Sequence, residues 1–148
     1  MDFAIGVEPR DEFLFLELAQ SARKLVEDVL LVKKGEDVLI TADTSCDRKV
    51  VEEVAKAAYS IGAVPTIIWY ETRPTAVVEP PKPVAGAVKN ADVWVEFQYA
   101  YILHTNAWRQ ALDAGCRYMN LSGMDTLMMV NTIGRVNYEK LVEMSEKI

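Results

Sequence analysis

Asp37-Val-Leu-Ile-Thr-Ala-Asp-Thr-Ser-Cys-Asp47, the run Arg48 to Ile61 that follows it, and Pro65-Thr-Ile-Ile-Trp-Tyr70 decide the fold. Val38-Leu-Ile-Thr41 and Pro65 to Tyr70 are continuous β-branched and aliphatic stretches, the composition of parallel strands covered on both faces. Between them Val50, Val51, Val54, Ala57, Ala58 and Ile61 recur at three-and-four spacing, with Arg48, Lys49, Glu52, Glu53 and Lys56 on the other side, so this segment is an amphipathic helix that Gly62 ends. A strand, helix and strand of these lengths cross over right-handed onto a parallel neighbour. The first loop, Thr41 to Asp47, contains no glycine, which argues against a dinucleotide site, because glycines let a backbone approach a pyrophosphate.

Working outward, a helix is expected from about Asp11 to Lys33, with Leu14, Leu18, Ala22, Leu25, Val26, Val29 and Leu30 inward and a stop at Lys34-Gly35. Glu71 to Pro83 carries four prolines and reads as a surface loop. Val84 to Asn90 is a short helix, Asp92 to Phe97 a third strand, and Thr105 an N-cap for a helix with Ala107, Trp108, Ala111 and Leu112 inward. Arg117 to Leu121 is a fourth strand; Ser122 to Asp125 turns into a helix reaching about Ile133, and Asn137 begins a last helix with Tyr138, Leu141, Val142 and Ser145 inward. The pattern predicts an α/β, Rossmann-like three-layer domain with a mainly parallel sheet of about four strands, occupying residues 1–148 as one domain. Val142 to Ile148 remains in helical register without a stop signal, which leads us to expect further polypeptide in the natural protein.

Of the 148 residues 51% are hydrophobic, and 16 basic against 22 acidic side chains give a net charge of −6. Such a surface repels phosphate backbones, and the basic residues form no stripe, so nucleic acid is not an expected partner. No apolar run reaches membrane-spanning length, and no membrane is expected. Two cysteines and no signal pattern make a reducing cytoplasm the simplest compartment.

Open α/β sheets bind ligands at the carboxyl ends of their strands, here the loops 42–47, 71–73, 98–105 and 122–125. Asp43, Thr44, Ser45 and Asp47 could hold a ligand, but the same residues suit capping of a helix, which is the better account. His104, the single histidine, lies on the loop after the third strand. Histidine titrates near neutrality, so it is a candidate acid or base, set against a histidine merely satisfied by backbone near a helix start. Cys46 sits at a helix start, which favours a thiolate, beside Asp43 and Asp47, which oppose one. Cys116 reads as a small buried residue, and Trp69, Trp94 and Trp108 as core and interface anchors. No zinc-type ligand spacing occurs.

Ala22-Arg-Lys-Leu-Val-Glu-Asp-Val-Leu30, Val32-Lys-Lys-Gly-Glu-Asp-Val-Leu-Ile40 and Val54-Ala-Lys-Ala-Ala-Tyr-Ser-Ile-Gly-Ala63 are followed in order by Ala91-Asp-Val-Trp-Val-Glu96, Leu103-His104, Ala114-Gly-Cys-Arg-Tyr118 and Gly134-Arg-Val136. This set resembles the amino-terminal half of the thermophilic-type leucyl aminopeptidase (aminopeptidase T) superfamily, which includes the 2,5-dihydroxypyridine 5,6-dioxygenases. The resemblance implies an amino-terminal domain of a metal-dependent enzyme, acting on a peptide or small molecule through a divalent zinc, cobalt or iron. It implies that the metal ligands lie in a carboxyl-terminal domain absent from this chain, so that no metal residue is assigned here and the chain alone is inactive. In the dioxygenase branch it implies that Leu103 and His104 lie in the substrate pocket, with His104 as base. A stand-alone ligand- or partner-binding domain is the alternative from another class. Apolar surface left by a missing domain makes homo-oligomer formation an open expectation.

Overall fold

The computed structural model describes residues 13–146; Asp11, where the first helix was expected to begin, and the last two positions of the terminal helical register lie outside the described residues. Helix α1 (Phe15–Lys24) continues as a π-helical turn, Leu25–Val29. Strand β1 (Asp37–Asp43), helix α2 (Arg48–Ser60) and strand β2 (Val64–Tyr70) form the expected crossover. They are followed by α3 (Lys82–Val88), β3 (Val93–Glu96), α4 (Asn106–Asp113), β4 (Arg117–Asn120), and α5 (Thr126–Met129) with a second π-helical turn, Val130–Gly134. Helix α6 (Tyr138–Glu146) closes the described chain.

The four strands pair in parallel in the order β2-β1-β3-β4, with Asp37 opposite Val64, Val38 opposite Val93 and Val93 opposite Arg117. Period-two alternation divides the core. Val38, Ile40, Ala42, Val93, Val95 and Phe97 pack under α1, α2 and the second π turn, whereas Leu39 and Trp94 pack under α3 and α4. The domain is therefore a Rossmann-like three-layer sandwich. Opposite the carboxyl edge, Arg117 grips Glu36 with both terminal guanidinium nitrogens, at 2.9 and 2.6 Å. Hydrogen bonding from this guanidinium holds the Glu36 carboxyl down at about 2.

Several expectations are corrected. The first helix ends earlier than Lys33: Leu31 takes a left-handed conformation (φ 51°) once the π turn has closed through Leu30 N–H to the Leu25 carbonyl. In α6, Leu141, Val142 and Ser145 of the anticipated inner face are exposed, and the Tyr138 side chain lies outside what the structure describes. In α4, Leu112 is also exposed. Pro65 to Tyr70, expected to be covered on both faces, forms an edge strand with no fully buried residue, so that Trp69 is exposed while Trp108 is half-buried and Trp94 fully buried.

Helix α1 and the second π turn meet at a glycine. A Cβ at Gly134 would lie 2.2 Å from Ser21 Oγ and 3.3 Å from Ser21 Cβ, and Ser21 is wholly buried with its hydroxyl donating to the Glu17 carbonyl. Gly134→Ala is expected to cost about 1–3 kcal/mol by overpacking, read from the urea midpoint. Pairing it with Ser21→Gly should return part of that loss. Full stability of the single variant would show that α1 yields without cost.

Candidate functional site at the carboxyl edge of the sheet

The chain leaves β1 toward β2 on one side, and β3 continues the sheet on the other, so the loops after β1 and β3 diverge. Such a divergence opens a crevice at the carboxyl ends of the strands. Two clefts lie there. The larger, about 420 Å³, is lined by Arg73, Pro74, Thr75 and Ala76 from the loop after β2, by Tyr99, Ala100 and Tyr101 after β3, and by Ser122 and Gly123 after β4. The smaller, about 230 Å³, adds Ser45, Cys46 and Asp47 after β1 and shares Tyr99 and Gly123 with its neighbour. All four loops named from the strand pattern thus converge.

Of the four residues expected to cap α2, Asp47 alone does so; Asp43 braces loops, and the Thr44 and Ser45 hydroxyls pair with Thr72. Asp47 accepts from Lys49 N at 3.0 Å at the start of α2, and its other oxygen takes Thr126 N (3.0 Å) and Thr126 Oγ1 (2.9 Å), which ties α5 to α2. Asp43, fully buried, accepts from Ser45 N at 2.9 Å and from Tyr99 N at 2.8 Å, which fastens the β1 loop to the β3 loop. These bonds satisfy amides that would otherwise be orphaned.

Cys46 donates to the Phe97 carbonyl at 3.1 Å and accepts from Asp43 N at 3.3 Å. Burial, with the charges of Asp43 and Asp47, pushes its thiol up to about 11. A thiol so placed is not a nucleophile at neutral pH. Iodoacetamide should label Cys46 in the folded chain roughly a hundredfold more slowly than in denaturant, followed by mass spectrometry of the alkylated peptide; equal rates would reinstate it as a candidate nucleophile.

Beneath the clefts, on the α3/α4 side, lies a buried polar chain that the sequence reading did not single out. Trp94 Nε1 donates to Thr41 Oγ1 (2.9 Å), Thr41 donates to Gln98 Oε1 (2.7 Å), and the Gln98 amide donates to Glu96 Oε1 (2.8 Å). Ile102 N–H donates to the same oxygen, and the Tyr118 hydroxyl to Glu96 Oε2. Trp94, Thr41, Glu96 and Gln98 are all without exposed surface. Burial pushes the Glu96 carboxyl up to about 7, against the opposing pull of the Tyr118 and Ile102 donors. Burial likewise pushes the Tyr118 and Tyr70 hydroxyls up. The chain holds the loop that carries Tyr99 and Tyr101 on both sides of these residues, through the Gln98 side chain and the Ile102 N–H.

His104 stands beyond this chain, exposed, in a left-handed conformation (φ 72°), with its ring edge-on to Trp108 at 5.1 Å between centroids. Trp108 in turn meets Tyr118 edge-on at 6.1 Å. Neither Leu103 nor His104 is among the residues lining the two clefts; they follow Tyr101, which lines the larger one. Thr105 caps α4 by accepting from Trp108 N at 3.3 Å, and Glu79 from the proline-rich loop accepts from Asn106 N at the same helix start. Among the described residues no group of three or more His, Cys, Asp or Glu side chains is gathered to hold a metal ion, so this donor set does not fit a bound divalent cation. No helix among them is long and apolar enough to cross a membrane.

No protein-family model and no curated protein sequence matches the chain. Solved structures do share the fold. The 2,5-dihydroxypyridine dioxygenase of Pseudomonas putida KT2440 superposes with a TM-score of 0.60 at 16% identity, over 73% of this chain and 34% of that one. AmpT of Thermus thermophilus gives 0.51 at 16% identity, over 81% of this chain and 42% of that one. A benzoate CoA ligase of Burkholderia xenovorans LB400 gives 0.50 at 16% identity, over 80% and 22%. The chain therefore spans less than half the length of each, and what it has in common with them is the architecture of a Rossmann-like domain.

Proposed function

We propose that this chain is the amino-terminal, substrate-side domain of a metal-dependent enzyme of the aminopeptidase T type, with the ion held by polypeptide outside it. The observation that carries this reading is the convergence of all four carboxyl-edge loops on two adjoining clefts, in a domain that gathers no ligand set for an ion among its described residues. In this proposal the domain binds and orients the substrate, and another supplies the Lewis acid. The fold shared with AmpT over 81% of this chain supports the comparison.

A second reading, an iron-dependent dioxygenase that cleaves a dihydroxypyridine ring, is favoured by one placement. His104 follows the cleft residue Tyr101 closely in the chain and stays exposed, where a base for a substrate proton is accessible.

Leucinamide and 2,5-dihydroxypyridine, added separately to the isotope-labelled 148-residue chain, test the substrate side. Amide resonances of Arg73, Thr75, Ala76, residues 99–101 and residues 122–123 are expected to shift, without turnover and without stoichiometric zinc, cobalt or iron after dialysis. A metal-loaded chain that turns over substrate unaided would overturn the proposal. In a polypeptide carrying both halves, leucine release under strict anaerobiosis favours the peptidase, whereas oxygen uptake unchanged by His104→Ala removes the histidine's role.

A further inference from the structure

The larger cleft has a chemical bias that the fold does not require. Arg73 is the single cationic side chain lining either cleft among the described residues. Its guanidinium has one carboxylate partner, Glu71, at 3.4 Å through Nη1, and the Glu71 side chain is 77% exposed. The Arg73 Nε is shut off from solvent and has no hydrogen-bond partner, and the same is true of Ser122 Oγ on the facing loop. Buried polar groups left without a partner are costly, and a ligand that draws both side chains toward it recovers that cost.

The surrounding acids do not cancel this bias. Asp47 and Asp125, which line the smaller cleft, are engaged by helix-start donors: Asp47 with both oxygens, by Lys49 N and Thr126, and Asp125 with one, by Met128 N at 2.8 Å. Neither lines the larger cleft in which Arg73 stands. Around Arg73 the walls are apolar or aromatic, with Pro74, Ala76, the exposed ring of Tyr99, and Tyr101. Gly123 presents bare backbone (φ 77°), with nothing within 4 Å of where a Cβ would stand.

We propose that the larger cleft binds a small monocarboxylate with an aromatic or branched apolar body, Arg73 and Ser122 taking the carboxylate while Tyr99, Tyr101 and Pro74 cover the body. A planar guanidinium matches the two oxygens of a carboxylate. A phosphate dianion would need more donors than one arginine and a hydroxyl supply, and the volume suits a small organic acid. The inference rests on the carboxyl edge being the substrate side and adds that this cleft holds a carboxylate more tightly than an uncharged or cationic probe such as 2,5-dihydroxypyridine or leucinamide.

The test uses the 148-residue chain with sodium benzoate, uncharged benzamide and inorganic phosphate as probes, followed by amide shifts and calorimetry. Benzoate is expected to move the amides of Arg73, Thr75, Ala76, residues 99–101 and residues 122–123, with benzamide and phosphate about tenfold weaker or worse, and Arg73→Gln should weaken benzoate about tenfold. Arg73→Lys should fall between, and an unchanged melting temperature shows that the variants fold. Benzoate that fails to bind, binds Arg73→Gln as well as the parent, or is matched by benzamide or phosphate overturns the carboxylate assignment. If leucinamide or 2,5-dihydroxypyridine still shifts these residues, the substrate-side reading survives; if no probe does, both fall.

Discussion

Trp94→Ala is expected to lower the melting temperature by about 10–15 °C, from a loss of about 3–5 kcal/mol for truncating a buried tryptophan. Trp94 is the largest fully buried side chain and sits in the centre of the α3/α4 layer, with Leu39, Val84, Val88 and Ala111 in the same cluster. Its ring lies 4.6 Å from that of Tyr118, and its N–H begins the polar chain at Thr41. Alanine removes both the volume and the donor. Domain stabilities lie in the range of about 5–15 kcal/mol, so this one change consumes a large share. Trp94→Phe separates the two contributions: it keeps most of the apolar volume and forfeits the hydrogen bond. We expect it to recover more than half of the loss, because Thr41 Oγ1 still donates to Gln98. Equal losses in the two variants would mean that the bond to Thr41, and not packing, holds this layer.

The strands and the crossover were legible because each carries a pattern that survives without its neighbours. Val38 to Thr41 and Ile67-Ile68 are apolar runs, and α2 has a complete amphipathic period. Thr105 was legible as a cap because a hydroxyl just before a helix has few other uses. What failed was decided by tertiary contact. Leu141 and Val142 have helical spacing, which says that a helix forms one apolar face but not that anything covers it. The early stop of α1 depends on the π turn and on Leu31 adopting a positive φ, a conformation with no marker in a leucine-rich segment.

The site divides in the same way. The carboxyl-edge rule named the four loops that line the clefts, and His104 was picked from one of them for its chemistry. Arg73 was passed over because an arginine in a proline-rich loop reads as a surface charge; only the arrangement of Glu71, Ser122 and the neighbouring walls gives it a task. Glu96 alternates with Val93, Val95 and Phe97 and shares a face with Trp94, and that pairing was the available signal. A glutamate on the same strand face as a tryptophan is either at the rim or buried with partners, and the partners, Tyr118 and Ile102 N–H, come from parts of the chain that pattern does not connect.

Glu96→Gln is expected to flatten the dependence of stability on pH between about 4.5 and 7. The folded carboxyl titrates near 7, above its ordinary value of 4.5, so the folded state holds a proton that the unfolded state has released across this window. Stability is then full below about 4.5, falls as pH rises through 7, and is constant beyond; the total loss is about 3 kcal/mol. Neutral Glu96 can keep accepting from Ile102 and Gln98 through Oε1 while its hydroxyl donates to Tyr118, and glutamine reproduces that pattern without a charge to bury. The variant should therefore match the parent near pH 5 and exceed it near pH 8. Glu36 cannot mimic the effect. Its carboxyl is depressed to about 2 by hydrogen bonding from Arg117, so its contribution is present above 4.5 and is lost only as pH falls through 2. Urea unfolding of parent and variant at half-unit intervals from pH 4 to 8 isolates the difference. Parallel curves would show that Glu96 is already ionised throughout, in which case the donors of Tyr118, Gln98 and Ile102 outweigh burial and the carboxylate is a permanent buried charge on the α3/α4 side of the sheet.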